Sequence, residues 1–291
     1  MEARAMLIGA IEAGGTKMIL ALAGKDGTIL ARQRIATRDP AETLADIRDW
    51  FAAQGAISAL GVASFGPLDT NPASPAYGTI TTTPKPGWSG FSWREALAPL
   101  NVPVTIDSDV NGAALGEWKA GAGAGKSCVA YTTVGTGIGA GVISDGRTLG
   151  GIGHLEAGHI RPARPTGDDW PGHCPYHGDC LEGLASGPAI AARWGHNLSS
   201  ASVEEVELVA SYLAEYAMTL ALTHMPEVMI FGGGVSKARG LIEAIRRLTR
   251  EKLAGYIPAY DRDLTGIICL PQLGDDAGIT GALILASRAL D

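Results

Sequence analysis

Between Leu7 and Ala36 apolar residues fall in three short stretches, LIGAIEA, MILALAG and ILARQRIA, broken by Gly-Gly-Thr and Lys-Asp-Gly. Stretches of this length between such turn residues predict a β-meander. From Pro40 to Gln54 the period changes, with Leu44, Ile47, Trp50 and Phe51 at helical intervals, and a strand over 56–64 follows. The opening order is βββαβ. Residues 67–87 are rich in Pro, Thr, Asn and Gly and lack a period, which predicts a functional loop with short strands. Val102–Asp107 reads as a strand and Asn111–Gly121 as a short helix.

Past the glycines of 121–126 the pattern restarts, with strands over 128–134 and 140–144 around a tight glycine turn, then an Asp145-Gly146 turn. A loop over 160–180 leads to helices over 181–194 and 203–224, a strand over 228–231, a helix over 237–253, a strand over 266–270 and a last helix over 277–289. Two meander-plus-helix halves suggest an internal duplication, with little residue identity between them. A chain of 291 residues exceeds what one hydrophobic core usually serves, so two domains are expected, 1–112 and 113–276, with a C-terminal helix over 277–291 returning to the first.

Composition narrows the class. With 46% apolar and 18% charged residues the chain is a folded globular protein rather than a disordered one. Forty glycines are about twice the background of ~7%, without a collagen-like period, so glycine serves local backbone tasks. A net charge of −7 argues against nucleic acid or an anionic membrane as a partner. The start, MEARAMLIGA, lacks the apolar core of a signal peptide, so a cytoplasmic protein is expected. The uncharged stretch Ser127–Ser144 is too rich in Gly and Thr for a membrane helix. Cys128 and Cys269 lie in apolar runs, whereas Cys174 and Cys180 lie among histidines, which signals metal rather than a disulfide framework.

Five segments carry candidate chemistry. Glu12-Ala-Gly14-Gly15-Thr16-Lys17 joins two strands, where backbone N–H groups freed of side chains can form a nest for phosphate. Glu12 would hold Mg2+ directly or through water. The alternative is an ordinary glycine hairpin with Lys17 solvated. Thr133-Val-Gly135-Thr136-Gly137-Ile-Gly139 repeats the design, and two such turns would grip one polyphosphate. Its dinucleotide-binding reading is opposed by the strand, rather than helix, that follows and by the missing acid about 20 residues on. Gly232-Gly233-Gly234 suits close approach to a base or ribose, or merely opens a helix. In Asp107-Ser108-Asp109-Val110-Asn111 both acids suit helix capping; Asp109 is the choice for a general base and Asp107 for a structural or metal-proximal acid. His159, Cys174, His177 and Cys180 form a four-ligand N/S set with no open position, so they predict a structural zinc that pins the loop over 160–180. His173 and His154 stand as substitutes, and a reduced surface cysteine pair is the alternative.

These segments, together with Glu156-Ala-Gly-His159, Cys174-Pro-Tyr-His-Gly-Asp-Cys180 with Glu182, Ser186-Gly-Pro188 and Phe231-Gly-Gly-Gly234, resemble the ROK family of sugar kinases and repressors over nearly the whole chain. The cysteine loop and Thr83-Pro84-Lys-Pro-Gly-Trp88 are most similar to the bacterial zinc-containing fructokinases. The resemblance implies an α/β, two-domain, actin-like (ribonuclease H-like) sugar kinase fold with an interdomain cleft, using MgATP and a hexose. It implies Asp109 as the base toward a hexose hydroxyl, O6 for fructose. It implies Gly66, Pro67, Pro84, Trp88, Glu156, His159 and Glu182 on the sugar side, and Thr133 and Pro188 at the nucleotide. Glu12 stands where many members have Asp, and Ser108 where many have Asn. The expected enzyme is an ATP-dependent fructokinase, with a kinase for glucose, mannose or an N-acetylhexosamine, or a non-catalytic sugar sensor, as alternatives. A repressor of this family would carry a DNA-binding domain of roughly 70–80 residues, yet the first glycine turn begins at residue 14. A homodimer is expected through the apolar helix stretch Tyr212–Leu222.

Overall fold

The structure, a computed structural model, describes residues 6–290. Residues 1–5, on which the leader reading partly rests, and Asp291, the end of the expected last helix, lie outside the described residues. The chain divides into two compact units. The first takes residues up to Glu117, 148–154 and those from Asp275 onward; the second takes Trp118–Arg147 and Leu155–Gly274.

The first unit opens with the expected meander, β1 (Leu7–Ala13), β2 (Lys17–Gly24) and β3 (Ile29–Ala36). Helix α1 (Pro40–Gln54) is capped by Asp39, whose side chain accepts the N–H groups of Ala41 and Glu42, and carries the chain back to β4 (Ala59–Ser64). A second crossover containing the short helix α2 (Trp93–Leu97), which the sequence pattern missed, leads to β5 (Val104–Ser108) and α3 (Asp109–Ala120). Hairpin turns make β1–β2 and β2–β3 antiparallel, and the two crossovers make β1–β4 and β4–β5 parallel. The sheet order is β3-β2-β1-β4-β5.

In the second unit β6 (Cys128–Val134), β7 (Ile138–Ser144) and β8 (Arg147–Thr148) form the meander. Helices α4 (Leu181–Ala185), α5 (Gly187–Trp194) and α6 (Val203–His224) precede β9 (Val228–Gly232), then α7 (Leu241–Leu253) and β10 (Ile268–Cys269). The sheet order, β8-β7-β6-β9-β10, repeats the first sheet strand for strand, so the duplication is one of topology. This is the ribonuclease H-like α/β plan, present twice, as the actin-like class requires.

Three expectations need correction. The helix over 181–194 is two, because Ser186 adopts an extended backbone that ends α4 and caps α5 through its side chain, with Pro188 in the first turn. The helix expected from 237 begins at Leu241, after Gly240 takes a left-handed φ of 83°. The Tyr212–Leu222 stretch is core rather than a dimer face: Tyr212 and Tyr216 are fully covered within the chain, and Leu222 is the exposed exception among its large apolar residues. Among the described residues no helix is long and apolar enough to cross a membrane.

The first sheet is covered on both faces. On one, Ile11, Leu20 and Val62 pack with Ile47 and Phe51 of α1 and with Trp88 and Trp93. On the other, the small residues Ala10, Ala21 and Ala63 admit α8 (Ala277–Arg288) through Ile279, Ala282 and Leu283. Helix α8 also lies directly on α3, where a Cβ at Gly281 would overlap the carbonyl of Gly112. Gly281→Ala is therefore expected to destabilise the protein by at least about 2 kcal/mol, as overpacking against rigid backbone does. Urea unfolding monitored by circular dichroism tests this; an unchanged midpoint would refute the contact.

Candidate active site and metal cluster

In the first unit the β1–β2 turn is tied by Gly14 N–H to the Lys17 carbonyl at 3.0 Å. Thr37, at the end of β3, closes over it: its N–H donates to Thr16 and its hydroxyl to the Gly14 carbonyl at 2.7 Å. Gly15 and Thr16 are left exposed at the tip. Lys85 donates to the Thr37 carbonyl at 3.0 Å, linking the 83–88 segment to the same turn. Neither Thr37 nor Lys85 was singled out from sequence. Lys85 lay inside the Thr83–Trp88 motif and was its one signal.

Glu12 stands one residue before the end of β1, half-buried. Its Oε2 is buried with no hydrogen-bond partner among the described residues. The space for it exists because residue 278 is glycine; a Cβ there would come within 2.6 Å of the Glu12 carboxyl carbon. Burial pushes Glu12 up to about 7, Lys17 and Arg32 pull it down, and Asp109 and Asp275 add to the rise. Asp109 is the first residue of α3; its Oδ1 accepts the Val110 N–H at 2.8 Å, and burial pushes it up to about 6. Two carboxylates short of positive charge are oxygen donors of the kind Mg2+ takes.

Asp107 is structural. Its Oδ1 accepts the Ser108 N–H at 2.8 Å and the Asn111 amide at 2.7 Å, and Thr148 bonds the same carboxyl, which burial holds above its usual range. The Ser108 hydroxyl accepts the Asn111 N–H at 3.2 Å and so caps α3. Pro67 and Pro84 are exposed and Gly66 half-buried. Trp88 is a correction: it has no exposed surface, its indole N–H donates to Arg38 at 2.9 Å, and it packs edge-on against Phe65 and Phe91. It supports the 65–92 segment from beneath and cannot touch a sugar.

In the second unit the β6–β7 turn holds Gly135, Thr136 and Gly137, with Thr133 half-buried on β6. Strand β7 follows directly, so the helix of a dinucleotide fold is absent here. The Gly187 N–H donates to the Gly135 carbonyl at 2.8 Å, which places exposed Pro188 next to the turn. Gly233 (φ 84°) lies where a Cβ would overlap the Val134 carbonyl, so the segment 232–234 packs on the same turn. Glu182, expected on the sugar side, spends one carboxylate oxygen on the Ile138 N–H at 2.9 Å. Glu156 is exposed, and its carbonyl accepts the His159 N–H at 3.0 Å.

The four expected metal ligands meet. His159, Cys174, His177 and Cys180 place one donor atom each within 4.8 Å of one another. The separations are 3.3 Å between the two Nδ1 atoms, 3.8 Å from Cys174 Sγ to either, and 3.5 Å from Cys180 Sγ to His159. A zinc tetrahedron with bonds of about 2.0–2.3 Å has edges of about 3.3–3.8 Å, so the donor set fits. Burial, with Cys174 nearby, pushes the Cys180 thiol up to about 11, a site that needs a cation to become thiolate. His173 and His154 are not in the cluster.

A second anchor holds the same loop, and sequence reasoning missed it. Asp168 accepts from Arg164 at 3.0 Å, from Arg193 at 2.8 Å and from the Tyr212 hydroxyl. Arg193 in turn lies over the rings of Trp170 and Trp194. No short motif signals such a set, because its members come from the loop, α5 and α6.

The ROK family model matches residues 8–289. A fructokinase of Zymomonas mobilis is 43% identical over 97% of this chain and 97% of its own length. A fructokinase of Pediococcus pentosaceus is 41% identical over 98% of this chain and 99% of its own. A crystal structure of a ROK family glucokinase from Streptomyces griseus, in complex with glucose and AMPPNP, aligns with a TM-score of 0.74 at 26% identity, over 97% of this chain and 99% of that one. With the glycine turns, the acids and the His2Cys2 cluster in family order, and with matches spanning both chains, this protein belongs to the ROK family.

Proposed function

We propose that the chain is an ATP-dependent fructokinase, transferring the γ-phosphoryl group of MgATP to O6 of D-fructose. The observation that carries the chemistry is Asp109, a desolvated carboxylate at the head of α3, raised to about 6 and so poised to take a proton near neutral pH. The choice of fructose is supported by full-length relatives at 41–43% identity.

Phosphoryl transfer asks a protein for position and charge neutralisation more than for covalent chemistry. Asp109 accepts the proton of the sugar hydroxyl as its oxygen attacks the γ-phosphorus. Gly14, Gly15 and Thr16 with Lys17 receive phosphate in the first unit, and Gly135, Thr136 and Gly137 do so in the second. Thr133, Pro188 and Gly232–Gly234 receive the rest of the nucleotide. Glu12 would hold Mg2+, which would supply charge neutralisation for the phosphates. Gly66, Pro67, Pro84, Glu156 and His159 receive the sugar, and Glu182 keeps one oxygen for it. The four-ligand cluster holds a structural zinc, since all its positions are filled by protein. A co-substrate of MgATP suits the cytoplasm.

Four outcomes are expected. In a coupled ADP-release assay across fructose, glucose, mannose and N-acetylhexosamines, fructose gives the highest kcat/KM, and Asp109→Asn lowers kcat by about 10²–10⁴. A near-wild-type rate in that variant would remove Asp109 as the base, and a preference for another hexose would overturn fructose. The pH profile of kcat/KM falls on the acid side with a midpoint between about 6 and about 7, where Asp109 and Glu12 take up protons. Both acids are raised above their unfolded values, so their contribution to folding is full at low pH and is lost as pH rises through 6 to 7. Asp109→Asn therefore melts above wild type at pH 8, by on the order of 1–2 kcal/mol, and level with it at pH 4. Equal melting at both pH values would refute the desolvated charge. Elemental analysis finds one zinc per chain, bound more tightly as pH rises because the thiols must release protons. Protein purified without chelators and free of zinc would refute the assignment.

A further inference from the structure

We infer that Glu182 is a positioning residue that lets the metal cluster brace the Gly135–Gly137 turn, so that zinc occupancy and nucleotide binding are coupled. The inference rests on the kinase reading above. Its ground is the single residue Ile138, which follows that turn. The Ile138 N–H donates to Glu182 Oε2 at 2.9 Å. The Ile138 carbonyl lies against Gly158 so closely that a Cβ at 158 would overlap it. Gly158 precedes the ligand His159, and Glu182 stands two residues beyond the ligand Cys180. Both polar backbone groups of Ile138 are therefore gripped by segments that end on the cluster.

The connection from Cys180 is short and rigid. Its Sγ accepts the Gly183 N–H at 3.4 Å and so caps α4, while Leu181 N–H donates to Ile160 at 2.8 Å. At the far end of α4 the Gly187 N–H donates to the Gly135 carbonyl at 2.8 Å. The turn is thus held on both sides, at Gly135 and at Ile138, by residues 182–187. The Glu182 carboxylate reaches the N–H because residue 137 lacks a side chain; a Cβ there would come within 2.8 Å of Oε2. A turn held at both ends keeps its N–H groups aimed without reordering when phosphate arrives. Loss of the metal frees Cys180 and His159, and with them both grips. Coupling of this kind acts in both directions, so nucleotide must also tighten zinc binding at equilibrium.

The test compares wild type with Glu182→Ala and Glu182→Gln, all zinc-loaded, by three readouts. Bound zinc is measured by elemental analysis. Affinity for MgAMPPNP is measured by calorimetry without sugar, and Zn2+ transfer to a chromogenic chelator is followed with and without MgAMPPNP. E182A is expected to keep its zinc and to bind MgAMPPNP about 10–100-fold more weakly, the usual effect of losing a supporting hydrogen bond. E182Q, whose amide oxygen still accepts the Ile138 N–H, recovers most of that affinity, which a role resting on the carboxylate's charge would not produce. MgAMPPNP lowers the equilibrium extent of Zn2+ transfer to the chelator in wild type and not in E182A. Unchanged MgAMPPNP affinity in E182A, or Zn2+ transfer from wild type that ignores nucleotide, overturns the inference while leaving the kinase reading intact. If E182A does not fold, the wild-type transfer measurement decides alone. A wild-type protein that binds no MgAMPPNP overturns the kinase reading and this inference together.

Discussion

Two carboxylates kept partly out of water and short of positive charge, Glu12 and Asp109, are the constraint around which the first unit is arranged. Each is raised by burial to the edge of neutrality, and the Asp109 charge adds to the rise at Glu12. Such a pair lowers stability in the absence of a ligand, and the fold supplies the means to hold it. β1 and β5 are parallel to the intervening β4, so their carboxyl ends lie at one edge of the sheet. Asp107, Ser108 and Asn111 stitch the β5–α3 junction with buried hydrogen bonds, and Gly278 makes room for Glu12. Strain of this sort persists where it serves function.

The second unit solves a different problem with the same topology. Its glycine turn follows the equivalent meander strand, but in place of a carboxylate pair it is backed by α4 and the cysteine loop. That loop is long, carries three prolines beyond Arg164, and has little apolar surface of its own to bury. Two polar anchors compensate: the metal cluster at one end and the Asp168 set at the other. Asp179, beside Cys180, also meets Arg161 and Arg164, so the anchors share a neighbour.

What the sequence made legible follows physical range. The meanders, α1 and α6 were readable because hydrophobic period and turn residues act over a few positions. The meeting of His159, Cys174, His177 and Cys180 was readable because N and S donors at close spacing suit a metal, and the place of Asp109 at a helix start because a strand precedes it. What was not readable depends on long-range packing. Trp88 looked like a sugar platform, but the shell of Phe65, Phe91 and Trp93 that buries it is built from three segments. The Tyr212–Leu222 stretch looked like a free apolar face, but its partners are distant elements of the same unit. Ser186 broke an expected helix because its hydroxyl caps the next one, a choice that helical period alone does not express.

Glu182 shows why position and role must be argued separately. As an acid two residues after a cysteine motif it was expected on the sugar side by resemblance alone, with no sign of a second contact. Its bond to Ile138 N–H is that contact, and a charged acceptor held on a backbone donor fixes that backbone whatever its second oxygen does. A metal held by the cluster's closed set of four protein donors would stand outside the chemical step. The cluster still connects to the glycine turn through the chain itself: eight residues, from Cys180 to Gly187, contain one member of the cluster, the Glu182 carboxylate and the Gly187 N–H, and the last two end on the same turn.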